Sequence, residues 1–318
     1  VNEGIEYCFM EVSSHAIDQK RILGLKFEVG VFTNLSHDHL DYHHDFSNYR
    51  DVKKEFFDFL AKDAIAIVNF DDKNGPYMIQ NCRSKSYSYS LKTNSNYSLK
   101  ILEKDLNGMK LKINNHEIWT KLIGDFNAYN ILATFSLAQI LNFELEKTLN
   151  KISLLNVVNG RFEKTFENSK NQLGIVDYAH SPDSIEKVLK TLIDIKKKKS
   201  LITVIGCGGD RDIDKRPIMG KIVASLSDIV VLTSDNPRSE NPNKIIEHMK
   251  KGICEKDMYK VNQIVDRKTA IEFACNINGM NDVILVAGKG HEKFQISGDS
   301  KIDFDDKKIL ECFLNKKN

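Results

Sequence analysis

The sequence has 318 residues, a length typical of about two domains of roughly 150 residues each. Its 46 basic and 44 acidic side chains leave a formal net charge of +2, so neither nucleic acid nor an anionic membrane surface is an expected partner. A hydrophobic content of 41% and a charged content of 28% exclude a disordered tail protein. The six cysteines form no Cys-x-x-Cys pair, and no apolar run reaches about 18 residues. These patterns predict a cytoplasmic protein without zinc, disulfides or membrane insertion.

The first half of the sequence mixes strands and helices. Its apolar residues either alternate with polar ones or keep one face of a helix, and turn dipeptides separate the segments. In chain order, the predicted elements are a buried strand at 7–12, a turn rich in His and Asp at 36–45, a helix at 48–60, a strand at 64–68, a β-meander at 84–120, and helices at 127–141 and 144–155.

From about Val157, strands and helices alternate strictly. The apolar runs of the strands are nearly continuous, as expected for a parallel sheet that is covered on both faces. Ser181 and Pro182 are a typical N-cap and first residue of the helix after the first strand. The predicted strands are 173–176, 201–205, 228–232 and 283–287. The sequence therefore predicts an α/β protein, with a hinge at Asn159–Gly160 between domains 1–158 and 159–318.

Each of these four strands ends in polar or glycine-rich residues. The four segments are 177–180 (DYAH), 206–211 (GCGGDR), 234–238 (SDNPR) and 288–292 (GKGHE). Right-handed crossovers would place all of them at the carboxyl edge of the sheet, where open α/β sheets bind ligands. Two guanidiniums and two carboxylates suit a small zwitterion. A plainer alternative is that the glycines only form tight turns, and a dinucleotide site is disfavoured because G-x-G-x-x-G is absent.

The first half carries a different set of polar residues. Glu11 ends the first predicted strand, four His and three Asp fall within 34–45, and Lys53 lies on the following helix. This density of histidine and carboxylate favours a hydrated divalent cation. One alternative is a solvated loop in which His39 or Asp41 caps the next helix. Another is a His-Asp phosphohydrolase, whose further His and Asp at the usual spacing are not found.

A series of motifs, taken in order, resembles the Mur ligase family. They are FMEVSSHAIDQKR, FTNLSHDHLDYH, GDFNAYN, NGRFE, VDYAHSPDS, IGCGGDRDIDKRPIMG, TSDNPRSENP and AGKGHEKFQ. The resemblance runs from about Phe9 to the C-terminus. It implies the remainder of a central ATPase domain, followed by a Rossmann-like domain that binds the incoming amino acid.

The resemblance also implies an ADP-forming ligase of peptidoglycan synthesis, with ATP and Mg²⁺ as cofactors. ATP would phosphorylate the γ-carboxylate of UDP-N-acetylmuramoyl-L-alanyl-D-glutamate, and the amine of meso-2,6-diaminopimelate would attack the acyl phosphate. The DNPR motif is similar to that of the branch that adds diaminopimelate. The alternatives are a lysine-adding ligase, a relative of folylpolyglutamate synthase, or a non-catalytic fragment that only binds ligand.

Residue roles follow from the same motifs. By the family pattern, Glu11 and His39 hold a metal ion, and Lys53 is carboxylated by carbon dioxide so that it joins the metal site as an anion. The positions that match contacts to the muramoyl dipeptide are Ser13, Gln19 and Arg21. Those that match nucleotide contacts are Asn127 or Asn130, Arg161, Asp177 and His180. Those assigned to diaminopimelate are Arg211, Asp235, Asn236, Pro237, Arg238, Gly288 and Glu292.

The sequence departs from the family in one respect. The family carries a G-x-x-G-K-[ST] phosphate loop early in the central domain, and this sequence contains no such motif. We therefore expect the chain to represent the C-terminal two thirds of a ligase, without the uridine-binding domain. It is expected to be a monomer, and inactive as a catalyst by itself.

Overall fold

The computed structural model describes residues 4–36, 40–277 and 280–315. The chain divides into two compact units. The first comprises the residues up to 100 together with 113–116 and 129–149, and the second comprises 101–112, 117–128 and the residues from 150 onward. No helix among the described residues is long and apolar enough to cross a membrane.

The first sheet follows the chain in order. Its strands are β1 (Val29–Phe32), β2 (Ile65–Asn69), β3 (Lys85–Ser90), β4 (Tyr97–Asp105), β5 (Gly108–Ile113) and β6 (His116–Thr120), and each pairs with the next. The pairs β1–β2, β2–β3 and β3–β4 are parallel. The predicted strand at 64–68 is therefore confirmed. The predicted β-meander is wrong for its first pair, because β3 and β4 run parallel and share only two residue pairs near their ends.

The predicted strand at 7–12 is absent. Residues 4–13 have no regular secondary structure, and the side chain of Phe9 is 73% exposed. No strand within the described residues pairs with this segment. An apolar segment becomes a strand only when a neighbouring strand satisfies its backbone groups, so the hydrophobic pattern alone was misleading here.

Within the described residues, six helices accompany the first sheet along the chain. They are α1 (Ser14–Asp18), α2 (Leu40–His43), α3 (Phe46–Asp58), α4 (Gly75–Met78), α5 (Asp125–Ile140) and α6 (Leu145–Ser153). The Asp45 carboxylate caps α3 by accepting the Asn48 N–H at 2.8 Å. Val52, Phe56 and Phe57 of α3 are buried in the same core cluster as β1 and β2. The helix predicted at 48–60 is thus confirmed, with its start two residues earlier.

The second sheet has the strand order β11-β10-β9-β12-β8-β7. Its strands are β7 (Glu163–Glu167), β8 (Leu173–Asp177), β9 (Ser200–Ile205), β10 (Ile229–Leu232), β11 (Val261–Gln263) and β12 (Asp282–Ala287). All neighbours are parallel except β7, which runs antiparallel to β8. The four predicted strands are confirmed, and the two edge strands β7 and β11 were not predicted. A hairpin of β13 (Phe294–Ser297) and β14 (Ser300–Asp303) follows β12.

Helices cover both faces of the second sheet. They are α7 (Pro182–Ile195), α8 (Lys215–Leu226), α9 (Pro242–Lys250), α10 (Arg267–Asn276) and α11 (Asp306–Asn315). Alternate residues of β9 point to opposite faces: Leu201 and Ile205 join the core with α7–α9, whereas Ile202 and Val204 join the core with α10 and α11. This double coverage explains the continuous apolar runs in the sequence. Ser181 forms the predicted cap of α7, as part of a capping box with Ser184.

Candidate active site

The four polar segments of the second half meet at one edge of the second sheet. Strands β8, β9, β10 and β12 are parallel, so their carboxyl ends all lie there. The Gly288 N–H donates to the Asp177 carbonyl at 3.0 Å, and the Gly209 N–H donates to the Asn236 carbonyl at 2.9 Å. The Asn236 side chain donates to Glu292 at 2.8 Å. The predicted juxtaposition is confirmed, whereas the ligand roles of these residues stay predictions.

Asp177 is a buried carboxylate at the end of β8. It accepts the backbone N–H groups of Phe162 at 2.6 Å and Ala179 at 2.7 Å. Its burial raises its pKa to about 6, although both hydrogen bonds oppose that shift. The Arg161 guanidinium lies 4.6 Å from the centre of the Tyr178 ring. Around Asp177, the structure therefore gathers one carboxylate and one guanidinium that the sequence assigned to the nucleotide.

His180 belongs to the same group. Its Nδ1 is 2.7 Å from the Tyr178 carbonyl, and its ring centre is 4.5 Å from that of Tyr178. His291 packs on Tyr178 as well, with ring centres 5.0 Å apart. The structure places Tyr178 and His291 beside the predicted nucleotide residues, although the sequence did not single them out. Their signal in the sequence was their position inside the DYAH and GKGHE segments.

Asn127 and Asn130 lie on α5. The Asn127 side chain donates to the Ile123 carbonyl at 2.8 Å, which occupies part of its hydrogen-bonding capacity in the turn that starts the helix. Asn130 is exposed. The two residues fall in different compact units, Asn127 in the second and Asn130 in the first.

Arg238 has an unusual backbone conformation at the site. Its φ of +50° lies in the left-handed region, and its Nη1 donates to the Gly209 carbonyl at 2.6 Å. A Cβ on Gly209 would lie 1.9 Å from the Pro237 carbonyl oxygen, so the two loops approach as closely as a glycine allows. The guanidinium of Arg211 is exposed near the same loops. The contact with Gly209 uses only one of the five N–H donors of the Arg238 guanidinium.

Asp235 is a carboxylate next to Gly288. A Cβ on residue 288 would lie 2.6 Å from Asp235 Oδ2, and Gly288 has a φ of +112°, so only glycine fits. Asp235 is 8% exposed, and burial raises its pKa while the charges of Arg267 and Lys289 oppose the shift. The Asp235 carboxylate therefore lies at the carboxyl edge of the second sheet, with two cations close enough to influence it.

Lys289 is a site residue that the sequence did not identify. It is fully buried, and its Nζ donates to Asn236 Oδ1 at 2.9 Å and Glu292 Oε2 at 3.0 Å. Glu292 is thus already paired with a cation, so a ligand ammonium would share this carboxylate with Lys289. The GKGHE motif was the available signal, but from the sequence only Gly288 and Glu292 were assigned ligand contacts there.

Two buried arginines, Arg216 and Arg267, bind the segments that follow the strands of the second sheet. Arg267 donates to both oxygens of Asp306 at 2.8 and 2.7 Å, and to the carbonyls of Ala287 at 2.9 Å and Ser234 at 3.3 Å. Arg216 donates to both oxygens of Glu240, which lowers the pKa of Glu240 to about 2. Both arginines lie in the first turn of a helix, where a cation opposes the helix dipole. An arginine predicted in the first turn of a helix could therefore have indicated, from the sequence, a residue held there by a carboxylate.

The first unit contains the residues assigned to the metal and the muramoyl substrate. Ser13 caps α1 by accepting the Ala16 N–H at 3.1 Å. The Arg21 guanidinium donates to Gln19, whose own amide donates to the Tyr42 hydroxyl at 3.1 Å. Ser13, Gln19 and Arg21 therefore lie at the two ends of one short helix, and the polar groups of Gln19 and Arg21 are exposed.

The predicted metal site is only partly described. Glu11 is exposed in the irregular segment before α1, and Lys53 lies half-buried on α3. His39 falls outside the described residues. Within the described ranges, no group of three or more His, Cys, Asp or Glu side chains converges to hold a metal ion. Of the residues assigned to the metal, Glu11 is the described carboxylate. A magnesium ion keeps several waters and needs only one or two carboxylates from a protein, so this residue alone is compatible with it.

The neighbouring lysines of α3 have different surroundings. Lys54 is buried and contacts both oxygens of Asp58, at 2.5 and 2.8 Å. Lys53 has its Nζ 5.7 Å from the centre of the Tyr49 ring. Lys54 therefore has a structural ion pair within the helix. The chemical role assigned to Lys53 from its motif stays a prediction.

Histidines of the motif-rich segments pack together in the first unit. His43 is buried, and its Nε2 is 2.8 Å from Ser14 Oγ. Its ring stacks on Tyr49 with centres 5.1 Å apart, and the Tyr42 hydroxyl donates to Asp18 at 2.6 Å. Part of the His/Asp density at 34–45 is therefore structural, since it ties α1 to α2 and α3.

Comparison with protein families defines the class. Residues 1–138 match the Mur ligase middle domain, and residues 160–290 match the glutamate ligase domain of Mur ligases. Together these ranges cover most of the chain, with one match around each sheet. The chain belongs to the Mur ligase family.

Two relatives in this family with high sequence identity to the chain have the same name. The chain is 46% identical over 315 residues to the UDP-N-acetylmuramoyl-L-alanyl-D-glutamate–2,6-diaminopimelate ligase of Cytophaga hutchinsonii, covering 99% of this chain and 65% of that protein. It is 49% identical over 315 residues to the ligase of the same name from Bacteroides thetaiotaomicron, with the same coverage. The chain thus spans about two thirds of the length of these relatives.

Solved structures show the same fold. A structure of a UDP-N-acetylmuramoyl-L-alanyl-D-glutamate–2,6-diaminopimelate ligase aligns with a TM-score of 0.61 at 33% identity, covering 96% of this chain and 63% of that one. Folylpolyglutamate synthase from Thermotoga maritima aligns with a TM-score of 0.58 at 17% identity, covering 82% and 57%. The second likeness is one of fold alone.

Proposed function

We propose that this chain is the amino-acid-binding and partial ATPase portion of a ligase that joins meso-2,6-diaminopimelate to UDP-N-acetylmuramoyl-L-alanyl-D-glutamate with release of ADP. The observation that carries the proposal is the edge of the second sheet, where Asp235, Arg238 and Glu292 lie on adjoining loops. The names of relatives at 46–49% identity support the same reaction. The setting would be peptidoglycan synthesis in the cytoplasm, by a monomer.

The proposed amino-acid site is argued from the charges of diaminopimelate and of the residues at the sheet edge. Diaminopimelate carries an ammonium and a carboxylate at each end, so its recognition needs forked cations and carboxylates at a fixed separation. Arg238 and the exposed Arg211 would hold carboxylates, and Asp235 and Glu292 would accept from ammonium groups. Asn236 and Pro237 shape the loop between them, and Gly288 leaves the space beside Asp235. Lys289 donates to Glu292 and would share this carboxylate with the ligand.

The nucleotide would lie against the other end of this edge. Arg161, Asp177 and His180 surround Tyr178, which offers a flat aromatic surface. At neutral pH, a carboxyl with a pKa of about 6 is mostly ionised and can accept hydrogen bonds from ribose hydroxyls. Asn127 or Asn130 would add an amide contact.

The first unit would supply the metal-binding residues. Glu11, His39 and carboxylated Lys53 would hold Mg²⁺, which neutralises charge on the phosphates when bound. Carboxylation replaces the Lys53 ammonium, which would repel the cation, with an anion. Ser13, Gln19 and Arg21 would contact the muramoyl dipeptide. A division into domains 1–158 and 159–318 is part of the proposal, and it agrees with the gap between the two family matches.

The decisive test uses a chimera. This chain would be joined to the part of the Bacteroides thetaiotaomicron relative that lies outside the match, and ADP release would be measured with each substrate omitted in turn. We expect release that depends on ATP, Mg²⁺, the muramoyl dipeptide and diaminopimelate together. A chimera that folds yet uses lysine as well as diaminopimelate would favour the lysine-adding alternative. Activity with a folate substrate would favour the folylpolyglutamate synthase alternative.

The 318-residue chain alone gives a second result. Its sequence has no lysine in a G-x-x-G-K-[ST] loop, which normally reaches the β- and γ-phosphates. We expect it to bind ligands in calorimetry and to release no phosphate above background. Substrate-dependent ADP formation by this chain would refute the expectation.

A further inference from the structure

The segment 295–298, at the end of β13, lies along the loop that carries Arg238. The Arg238 N–H donates to the Ile296 carbonyl at 3.2 Å, and the Gly298 N–H donates to the Arg238 carbonyl at 2.7 Å. Arg238 and Ser297 form a parallel β-bridge. Both backbone groups of Arg238 are therefore bound by the hairpin.

Side chains extend this contact on the same loop. Gln295 Nε2 donates to the Asp235 carbonyl at 2.6 Å and to Ser234 Oγ at 3.0 Å. The Ile296 N–H donates to Asn236 Oδ1 at 3.0 Å. Gln295 is half-buried, and its amide joins Lys289 and Arg267 among the side-chain donors that reach the residues preceding Arg238.

The backbone of Arg238 needs such support. A residue other than glycine at a φ of +50° pays a conformational cost of about 1 kcal/mol or more, so it persists only where its surroundings hold it. A loop released from β13 would relax toward negative φ and swing the guanidinium away from the Gly209 carbonyl. The separation between Arg238 and Asp235 would then no longer be fixed.

We propose that Gln295 is a positioning residue for amino-acid selection, and that the hairpin β13–β14 holds loop 234–238 so that Arg238 and Asp235 match the far end of a diamino dicarboxylic acid. This inference rests on the proposed function. Gln295 touches the loop and not the ligand, so it acts on selectivity through the geometry of Arg238. Lysine lacks the second carboxylate and therefore does not use that geometry.

The test compares Gln295→Met with Gln263→Met. Methionine keeps the length of the side chain and removes the N–H donor, and Gln263 lies exposed on β11 as a matched control. Hydrogen–deuterium exchange of peptides covering 234–240 would be measured on the ligand-free 318-residue chain. Calorimetry on the same chain would give affinities for meso-diaminopimelate and L-lysine.

A second pair of variants addresses the backbone contact. A Cβ on Gly298 would meet no atom within 4 Å, but Gly298 has a φ of +56°. Gly298→Asn tolerates that conformation, whereas Gly298→Val does not. The pair therefore changes the hairpin turn without filling any space near the site.

We expect Gln295→Met and Gly298→Val to exchange at least tenfold faster over 234–240, with β8 and β12 unchanged. Their affinity for diaminopimelate should fall about tenfold, and their affinity for lysine less than twofold. Unchanged exchange, or equal weakening of both ligands, would overturn the inference. If the unaltered chain fails to prefer diaminopimelate, the proposed function fails and the selectivity role fails with it. The exchange result would then still decide whether the hairpin holds the loop.

Discussion

Arg238 is the side chain on which the proposed selection of diaminopimelate over lysine depends most. Its guanidinium contacts the Gly209 carbonyl, and its backbone is held in a left-handed conformation. The sequence identified this residue from its motif, but the motif could not indicate that one donor is already engaged by the protein. At the scale of one residue, the proposed function requires that the remaining donors and their direction select the amino acid.

Replacing Arg238 should reduce selectivity. A charge-assisted contact is worth about 1.5–3 kcal/mol, and unpaired buried groups add a similar cost, so diaminopimelate should be favoured over lysine by roughly two to four orders of magnitude. In the chimera, Arg238→Ala should lose most of this preference, mainly through weaker use of diaminopimelate. The measurement is kcat/KM for both amino acids, with exposed Arg83→Ala as control. A ratio that does not change would contradict the assignment.

Lys53 and Lys54 provide a matched pair. Lys53→Ala should abolish most turnover of the chimera because the proposed anionic carbamate could not form, and added short carboxylates should restore part of it. Lys54→Ala should keep turnover and lower stability by about 1 kcal/mol, since it removes a partly buried ion pair with Asp58. Steady-state ADP release and thermal unfolding separate the two effects. Activity of Lys53→Ala close to that of the unaltered chimera would exclude its role.

At the scale of elements, the site depends on helices and strands that carry none of its ligand-binding groups. Arg267, at the start of α10, binds Asp306, at the start of α11, and also binds carbonyls at the ends of β10 and β12. Strand and helix periodicity predicted β8, β9, β10 and β12. It could not predict β7, β11 or the β13–β14 hairpin, because edge strands and hairpins are short and depend on their neighbours.

Replacing one partner of the Arg267–Asp306 pair should lower the free energy of unfolding more than replacing both. Both side chains are fully buried, so Arg267→Met should destabilise the chain by about 3–5 kcal/mol by leaving Asp306 unpaired. Adding Asp306→Leu should recover much of that loss, because the carboxylate left unpaired at position 306 is then removed. Urea unfolding of the single and double variants measures the difference. A double variant no more stable than Arg267→Met would show that the pair does not act as proposed.

At the scale of the whole molecule, burial of charge makes stability depend on pH. Asp177 has a pKa raised to about 6, so the folded state binds more protons than the unfolded state between about pH 4 and 6. The free energy of unfolding therefore falls as pH rises through this window. Glu240, with a pKa lowered to about 2, has the opposite effect, which is lost only as pH falls below about 4.

The pH effect of Asp177 can be isolated by substitution. Relative to Asp177→Asn, the unaltered chain should lose about 2–3 kcal/mol of stability between pH 4 and pH 7. Urea unfolding at a series of pH values gives this difference directly, and Glu186→Gln on the exposed face of α7 serves as a control. Parallel curves for the unaltered chain and Asp177→Asn would mean that Asp177 does not titrate in this range.

The sequence by itself determined the α/β class, the alternation of the second half and the four motifs at the strand ends. Local patterning suffices there, because a parallel sheet buried on both faces requires continuous apolar runs and its carboxyl ends must share an edge. Only the tertiary structure decided that the apolar segment 7–12 is not a strand, that Lys54 is bound by Asp58, and that Lys289 lies buried against Glu292. These outcomes depend on which groups distant segments bring within hydrogen-bonding distance, and neither periodicity nor residue type encodes that distance.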